Sequence, residues 1–294
     1  MKQLQTLSDA LCDLLKQIDR TDLRLIIGGG FGIYLKIKHV RQAAAQTIID
    51  PLFWPEERST NDLDLFLRPE LLVDSARLKP LAQAISNLDY EVVPTAKKYQ
   101  FIKAASKKAE GATIKIDILT GPQAAFTNKG LRVDNRRVHP KPSVDLHAHP
   151  VDAALTLERD LAAVNVSGTL SSGKPWTGEV FLPHPFTFAM MKLFAFRDRL
   201  TVEPDEEKAQ YHALDLYSIL GTATEDEWNQ GLRLRDEFRD HSSVIEAGGI
   251  VREYFAAPEQ MGIIRLKESN YYRDDFKLRD FSSGLLELLQ VRKF

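Results

Sequence analysis

Two aspartates separated by a single leucine, Asp62-Leu63-Asp64, stand in an apolar stretch of the chain. On an extended strand, residues two apart point to the same face, so both carboxylates project together while Leu63 faces the opposite layer. Carboxylates this close raise each other's pKa unless a cation keeps both ionised. The pattern predicts a short strand that holds a cation, with a divalent metal as the simplest candidate. Two solvated side chains at the end of a strand are the alternative.

A run of glycines follows an apolar segment upstream of this pair. Leu25-Ile26-Ile27 leads into Gly28-Gly29-Gly30, after which Phe31 and Leu35 recur with helical spacing. Glycines let the backbone turn sharply and approach a ligand, and the amides that open a helix attract an anion. The segment therefore predicts a strand, a tight turn and a helix with an anion site at its beginning.

A third carboxylate lies in a later strand pattern. Ile114, Ile116 and Ile118 alternate with polar residues, and Asp117 stands among them. Alternation along a half-buried strand places Asp117 on the polar face if Lys115 shares that face. We therefore expect Asp117 to lie with the aspartate pair.

The order of these motifs resembles the nucleotidyltransferase superfamily whose fold is that of DNA polymerase β, over roughly the first two fifths of the chain. The resemblance implies attack of a hydroxyl on the α-phosphate of a nucleoside triphosphate (NTP), with pyrophosphate leaving. It implies that Gly28 and Gly29 lie along the triphosphate. It also implies that Asp62, Asp64 and Asp117 bind two metal ions about 3.5–4 Å apart. Hard oxygen ligands of this kind suit Mg²⁺.

One position departs from the family pattern. Relatives usually follow the glycine pair with Ser or Thr, whose hydroxyl contacts phosphate, and this chain has Gly30 there. Gly30 stays a candidate phosphate contact through its backbone amide. Thr60, just before the aspartate pair, is a further candidate through its hydroxyl, and a purely structural role at the start of the strand is the alternative.

Two helical patterns in the C-terminal part each carry one charged residue among apolar neighbours. Lys192 stands in the pattern that begins at Pro185, and Asp215 in the pattern at 206–220. A lysine in such a helix either snorkels to the surface or faces an anionic ligand. The pair resembles the AbiEii-type toxin nucleotidyltransferases, the abortive-infection and MenA-like proteins. The resemblance implies that Lys192 contacts the triphosphate and that Asp215 orients Lys192 or the nucleotide. Where that family commonly has an acidic residue one turn earlier, this chain has Tyr211-His212.

Composition is that of an ordinary soluble enzyme. The 294 residues are 44% hydrophobic, which is enough for a large core and two units. Lys and Arg number 39 against 41 Asp and Glu, a formal charge of -2, so no overall basic character points to nucleic acid. A single cysteine, Cys12, excludes an internal disulfide and favours a cytoplasmic location. No apolar stretch predicts a signal peptide or a membrane span.

These patterns predict an α+β fold, with a polymerase-β-like nucleotidyltransferase core and a helical C-terminal domain. We expect the core at 1–125, a connecting segment of uncertain structure at 126–183 and the helical domain at 184–294, with the nucleotide in the cleft between core and helical domain. Predicted helices cover 3–19, 69–88, 185–199, 206–220 and 285–291, and predicted strands cover 23–28, 62–67, 90–94, 99–105, 112–119 and 161–166.

The predicted function is Mg²⁺-dependent transfer of a nucleotide from an NTP to an RNA hydroxyl. A tRNA-like acceptor, a toxin role and a cognate antitoxin partner are implied by the resemblance alone. Transfer to a small molecule or a protein is one alternative. A non-catalytic NTP- or RNA-binding module of the same fold is the other.

Two further groups of residues, one basic and one of histidines, have patterns that bear on binding. Basic residues interleaved with aromatic ones fit an RNA-contacting ribbon and a solvated hairpin equally well. They are found at 97–103, Lys107, Lys108, Arg132, Arg136 and Arg137. His139, His147 and His149 lie in a proline-rich stretch, and we expect them to be solvated rather than metal-bound.

Overall fold

In a computed structural model of the chain, the Asp-x-Asp segment forms a central strand of a mixed β-sheet. The structure describes residues 2–96, 98–104, 113–126, 129–134 and 137–289. The strands are β1 (Ile26–Ile27), β2 (Asp62–Leu67), β3 (Glu91–Val92), β4 (Gln100–Ala104), β5 (Thr113–Thr120), β6 (Val133–Asp134), β7 (Arg137–Val138), β8 (His149–Pro150), β9 (Ala162–Thr169) and β10 (Pro175–Leu182). The helices are α1 (Lys2–Ile18), α2 (Gly29–Ala43), α3 (Pro69–Val73), α4 (Lys79–Asn87), α5 (Pro185–Thr201), α6 (Glu206–Gly221), α7 (Glu225–Glu237), α8 (Ser242–Tyr254), α9 (Met261–Glu268) and α10 (Leu278–Leu288).

The sheet combines parallel and antiparallel pairs. Its order is β3-β4-β5-β2-β1-β10-β9, and β8 pairs with β5. Strand β2 runs parallel to β5 and antiparallel to β1, and β1 runs parallel to β10. The predicted α+β class is therefore confirmed, while the polymerase-β-like assignment stays a prediction.

Contacts divide the chain into two compact units that are discontinuous in sequence. The sheet unit comprises Met1–Leu35, Ser59–Asp152 and Leu161–Pro183. The helical unit comprises Lys36–Arg58, Ala153–Asp160 and His184–Phe294. Because the units are defined by contacts and not by independent folding, the predicted domain ranges stay a prediction.

Helix α1 covers the β9–β10 hairpin in the sheet unit. The predicted apolar stripe is buried along its whole length, at Leu4, Leu7, Leu11, Leu14 and Leu15. At the edge of the stripe, the Asp9 carboxylate accepts a hydrogen bond of 2.8 Å from the backbone amide of Thr169. The helix therefore seals one side of the sheet, as its amphipathic pattern predicts.

The predicted helix at 69–88 is interrupted, and its continuity was a wrong prediction. It begins at Pro69 as expected, but α3 ends at Val73, a 3₁₀ turn follows at Ser75–Leu78, and α4 starts only at Lys79. Pro80, in the first turn of α4, has no amide hydrogen for a continuous helix. An apolar periodicity that spans a second proline therefore marks two helices.

The segment predicted as a connection contains a hairpin of the main sheet. The predicted strand at 161–166 is found as β9, but its partner β10 was missed. Most of β10 is exposed or half-exposed, and it contains Pro175 and Gly178, so its sequence gives no strand signal. Gly178 is needed where it stands, because a Cβ there would meet the Trp176 ring.

In the helical unit, α5 and α6 form as predicted. Pro185 opens α5, where the His184 ring accepts a hydrogen bond of 3.1 Å from the Phe186 amide. Asp205 caps α6 by accepting a 3.0 Å hydrogen bond from the Lys208 amide. The helix predicted at 285–291 is α10, which begins earlier; residues 290–291 lie outside the described residues.

Across the described ranges, no helix is both long and apolar enough to cross a bilayer.

Candidate functional site

The aspartate pair and the third carboxylate lie on one face of the sheet. Because β2 and β5 are parallel neighbours, Asp64 stands beside Asp117 and Asp62 beside Lys115. The intervening Leu63 is fully buried on the other side. The alternation argument was therefore correct: the structure brings the three predicted carboxylates together. We call Asp62, Asp64, Lys115 and Asp117 the acidic face.

Lys115 is the resident cation of the acidic face. Its Nζ lies 2.9 Å from Asp117 Oδ2. Burial by itself lowers the pKa of Lys115, but the hydrogen bond to Asp117 and the charges of Asp117, Asp62 and Asp64 outweigh it and raise the pKa. One ammonium thus offsets part of the charge of three carboxylates.

The pKa of Asp117 on this face is raised. Burial raises its pKa above the usual value, the nearby Asp62 charge adds to this effect, and the Lys115 ammonium only partly opposes it. Its second oxygen, Oδ1, is buried and has no hydrogen-bond partner among the residues that the structure describes. A buried acceptor left in this state is suited to a cation or a hydrogen-bond donor from a ligand.

Gly28 and Gly29, at the start of α2, are required because β2 lies close to them. Gly29 has φ +59°, and a Cβ at this position would overlap Oδ2 of Asp64. The Gly28 amide donates a hydrogen bond of 2.8 Å to the Asp64 carbonyl, and a Cβ on Gly28 would overlap the Phe66 ring. The N-terminal end of α2, which carries partial positive charge, therefore lies directly beside the Asp64 carboxylate.

The acidic face fits a hard divalent cation by its chemistry, because it presents carboxylate oxygens and because Asp117 Oδ1 has no hydrogen-bond partner among the described residues. In the described part of the chain, however, no three His, Cys, Asp or Glu side chains are arranged to hold one metal ion as they stand. Mg²⁺ often uses only one or two protein carboxylates and takes its other ligands from water and phosphate. The predicted set of Asp62, Asp64 and Asp117 stays a prediction.

A second charged cluster lies in the helical unit and contains the other two predicted residues. Lys192 Nζ lies 2.7 Å from Asp215 Oδ2, so the lysine does not snorkel to the surface. Arg58 binds the same carboxylate through two hydrogen bonds of 2.8 Å, from Nε to Oδ1 and from Nη2 to Oδ2. We call Arg58, Lys192 and Asp215 the basic cluster.

The carboxylate of the basic cluster is kept ionised by its two cations. Burial of Asp215 by itself raises its pKa, but the charges of Arg58 and Lys192 outweigh burial and hold the pKa below the usual range. Beside them, burial and the Lys192 charge lower the pKa of His212 to about 3, so this imidazole is neutral near pH 7. Its Nδ1 is buried without a hydrogen-bond partner in the described ranges.

The departure at Tyr211-His212 now has a structural counterpart. The Arg58 guanidinium carbon lies 5.2 Å from the centre of the Tyr211 ring, a cation–π contact. Tyr211 therefore contacts Arg58 through its ring, whereas an acidic residue at this position would offset the charge of Arg58. Within the basic cluster, the one carboxylate of Asp215 pairs with both Arg58 and Lys192.

Arg58 ends a segment that is anchored on α6. The Ile48 amide donates to the Ala223 carbonyl at 2.9 Å, and the Tyr217 hydroxyl donates to the Phe53 carbonyl at 3.0 Å. Trp54, which follows Phe53, is buried. These contacts hold the backbone that leads to Arg58, so the guanidinium is placed by helix α6 as well as by its own ion pair.

Thr60 and Gly30 are the remaining predicted site residues. The Thr60 hydroxyl accepts a long hydrogen bond of 3.4 Å from the Asp62 amide, which is the structural role expected at the start of a strand. Gly30 is the second residue of α2 and is half-buried. The predicted phosphate contacts of Thr60 and Gly30 stay predictions.

The sequence did not predict that Lys115 and Arg58 pair with the carboxylates of the two clusters. Lys115 was noted only as a marker of strand facing, although a basic residue two positions from Asp117 necessarily shares its face. Arg58 gave no signal, because its partner Asp215 lies 157 residues away in the sequence.

The histidine-containing stretch differs from the prediction. His147 is only 6% exposed, and its ring centre lies 4.4 Å from that of His139. Burial, with the His139 charge as the next cause, lowers the pKa of His147 to about 4. The expectation that these histidines are solvated is therefore wrong for His147, because the loop folds back on the sheet unit.

The basic ribbon is partly described. Lys98 pairs with Asp145 at 2.6 Å, Arg132 and Arg137 both pair with Asp134, and Lys103 lies over the Tyr90 ring. Lys97, Lys107, Lys108 and Arg136 lie outside the described residues. The two alternatives for this ribbon therefore stay open.

Comparisons with known proteins give little to set beside this geometry. No family model matches the chain, and no curated protein matches it. Among solved structures, the chain is similar to the solution structure of the antibiotic-resistance factor ANT(2'')-Ia, with a TM-score of 0.35 and 15% identity over 84% of this chain and 97% of that chain. A likeness at this level carries no argument about fold or function.

Proposed function

We propose that this protein transfers a nucleotide from an NTP to an acceptor hydroxyl, with Mg²⁺ as the metal. The observation that carries the proposal is the acidic face itself. Three carboxylates share one face of two parallel strands, and Gly29 brings the start of a helix against one of them. Metal-bound phosphate chemistry needs carboxylate oxygens for the metal and backbone amides for the phosphates, and both are present here.

Asp62 and Asp64 would hold the metal, with Asp117 as the third candidate ligand. When bound, Mg²⁺ would neutralise phosphate charge and polarise the reacting phosphoryl group. The residues of the chain do the rest. The carboxylates fix the position of the ion, and the fully buried Leu63 between Asp62 and Asp64 keeps both side chains on one face.

Backbone amides near Gly28, Gly29 and Gly30 would bind the triphosphate. The partial positive charge at the start of α2 favours an anion there. Thr60 is proposed to add a hydroxyl contact. A side chain at Gly28 would overlap the Phe66 ring and one at Gly29 would overlap Asp64, so glycine lets the start of α2 lie against β2.

Lys192 is proposed to contact a phosphate oxygen, and Asp215 to orient Lys192. The support is the buried ion pair between them, at 2.7 Å. A positioned ammonium offsets the charge that develops as pyrophosphate departs.

The acceptor that we propose is an RNA hydroxyl of tRNA-like type, within a toxin and antitoxin pair. Its support is the motif of Lys192 and Asp215 in consecutive helices, which resembles toxin nucleotidyltransferases. Because the overall composition is near neutral, an RNA acceptor would need a local basic surface on the protein.

The test is nucleotide transfer with labelled NTPs, Mg²⁺ and total RNA. We expect label in RNA, dependence on Mg²⁺, and loss of labelling in Asp62→Asn. Asp19→Asn is the matched control, since Asp19 is an exposed aspartate paired with Lys16 in the same unit. Label in a small molecule or a polypeptide would replace the RNA acceptor, and an Asp62→Asn variant that still transfers nucleotide would overturn the mechanism.

A further inference from the structure

The carboxylate of Asp215 holds two cations of different character. Arg58 engages both of its oxygens with a planar, two-donor guanidinium, whereas Lys192 binds one oxygen through a single flexible ammonium. All three side chains are largely buried, with side-chain exposures of 14% for Arg58, 9% for Lys192 and 4% for Asp215. One buried carboxylate thus carries one cation more than its charge requires.

Only one of the two cations on Asp215 can move to a bound anion at low cost. If Lys192 were the sole partner, its departure would leave Asp215 as an unpaired buried charge, which is strongly unfavourable. Arg58 removes this penalty, because its two bonds still satisfy both carboxylate oxygens.

The surroundings of Arg58 hold it in place. Its guanidinium lies over the Tyr211 ring, and the segment that carries it is anchored on α6. Lys192 has four rotatable carbons between backbone and charge, so it can change partner without a backbone shift. His212 is neutral near pH 7 and does not compete for the carboxylate.

We propose that Arg58 is a positioning residue: it stays on Asp215 as the permanent counter-ion and so leaves Lys192 free to exchange from Asp215 to a phosphate oxygen. This inference rests on the proposed function for the identity of the ligand as a polyphosphate. It makes Arg58 necessary for phosphate binding although Arg58 keeps its own bonds to Asp215.

The test uses inorganic tripolyphosphate as the probe and isothermal titration calorimetry on the full chain. We expect the wild type to bind, and Lys192→Met to bind at least about tenfold more weakly, because a charged hydrogen bond is lost. Arg58→Gln should weaken binding by a similar factor, since Lys192 is then the only cation available to Asp215.

The decisive variant is Arg58→Gln combined with Asp215→Asn. Without the carboxylate, Lys192 is no longer retained, so the double variant should regain most of the affinity that Arg58→Gln loses. If Arg58 itself contacted phosphate, or only maintained the fold, the double variant would bind as weakly as the single one, and the inference would be overturned. Wild-type affinity in Arg58→Gln, or no binding to the wild type, would overturn it as well.

Two controls keep the result specific. Arg197→Gln makes the same charge change on α5, at an arginine paired with Asp198 and Glu246, and should bind as the wild type does. Arg58→Lys keeps the charge but not the two-donor geometry, so its affinity should lie between those of the wild type and Arg58→Gln. Thermal unfolding of each variant verifies that it is folded under the binding conditions.

The outcome can be separated from that of the proposed function. In nucleotide transfer, Arg58→Gln should raise KM for the NTP more than it lowers kcat. Transfer by the wild type with an unchanged KM in Arg58→Gln would overturn the inference alone. Absence of any transfer, with the tripolyphosphate pattern as expected, would overturn the proposed function alone.

Discussion

On the acidic face of the sheet unit, three carboxylates share one ammonium, whereas in the basic cluster of the helical unit one carboxylate holds two cations. Among the members of these two clusters, carboxylates outnumber cations in the first and cations outnumber carboxylates in the second. An uncompensated charge near a protein interior is costly unless a ligand of the other sign compensates it. The difference favours a cationic ligand for the first cluster and an anionic ligand for the second.

The two regions also differ in how deeply they are buried. The Lys115 side chain is 30% exposed, while that of Asp215 is 4% exposed. Solvent screens charges on the acidic face more than those in the basic cluster. Substitutions in the basic cluster should therefore change stability most, and those on the acidic face should change ligand binding most.

The largest expected effect tests this contrast directly. Asp215→Ala removes the buried carboxylate that pairs with both Arg58 and Lys192, so we expect the free energy of unfolding to fall by about 3–5 kcal/mol. Urea denaturation measures the change. Asp62→Ala is the comparison, and it should leave stability within about 1 kcal/mol of the wild type or raise it, because it relieves repulsion between carboxylates. Equal losses for the two variants would contradict the contrast.

Gly29→Ala should have the next largest effect on stability. A Cβ at this position overlaps Asp64 Oδ2, and the backbone has φ +59°, which disfavours any residue with a side chain. We expect a loss of about 2–3 kcal/mol in unfolding free energy, together with weaker Mn²⁺ binding as Asp64 is displaced. Gly249→Ala is the control, since a Cβ there meets nothing within 4 Å. A tolerated alanine at position 29 would show that Asp64 does not rest against the start of α2.

His212, which lies beside the basic cluster, should make the stability of the protein depend on pH. The pKa of His212 is about 3 in the folded protein, below its ordinary value. In the window between the two pKa values the unfolded chain binds the proton and the folded one does not, so stability falls as the pH is lowered. Between about pH 7 and about pH 5 this residue should contribute a loss of about 2 kcal/mol. Urea denaturation at both pH values should show that His212→Gln loses correspondingly less than the wild type, and equal losses would refute the assignment.

The smallest effect concerns the cation of the acidic face. Lys115→Met removes a charge that opposes cation binding, so we expect Mn²⁺ affinity to rise by about threefold to tenfold. Stability should change by no more than about 1 kcal/mol, since the ion pair is partly exposed. Titration calorimetry with Mn²⁺ measures the affinity. Lys103→Met, which removes a lysine that lies over the Tyr90 ring, serves as control. Weaker Mn²⁺ binding in Lys115→Met would show that the ammonium supports the site instead of competing with the metal.

The extent to which the sequence predicted this molecule differs between local and distant features. The limits of β2 were predicted from alternation alone, because residues 62–67 alternate clearly and their neighbours do not. Strand β10 was missed, since a largely exposed strand has no apolar period to reveal it. Periodicity reports burial, so it finds a strand with buried residues at alternate positions, such as β9, and overlooks a largely exposed strand such as β10.

The candidate site shows the same division. The facing of Asp117 follows from its own strand, and the structure confirms it. The ion pair between Arg58 and Asp215 depends on the tertiary fold, which no local pattern encodes. Sequence motifs identified residues that are chemically unusual where they stand, but not the common arginine that completes the cluster.

The contact between Gly29 and Asp64 has a consequence for which acids can stand on β2. With Oδ2 of Asp64 already against the first turn of α2, a side chain longer by one methylene has no space along that direction. A glutamate at position 64 would have to bend its longer side chain away from the start of α2. The start of α2 therefore limits the length of the side chain at position 64, and this steric limit favours aspartate even when no ligand is bound.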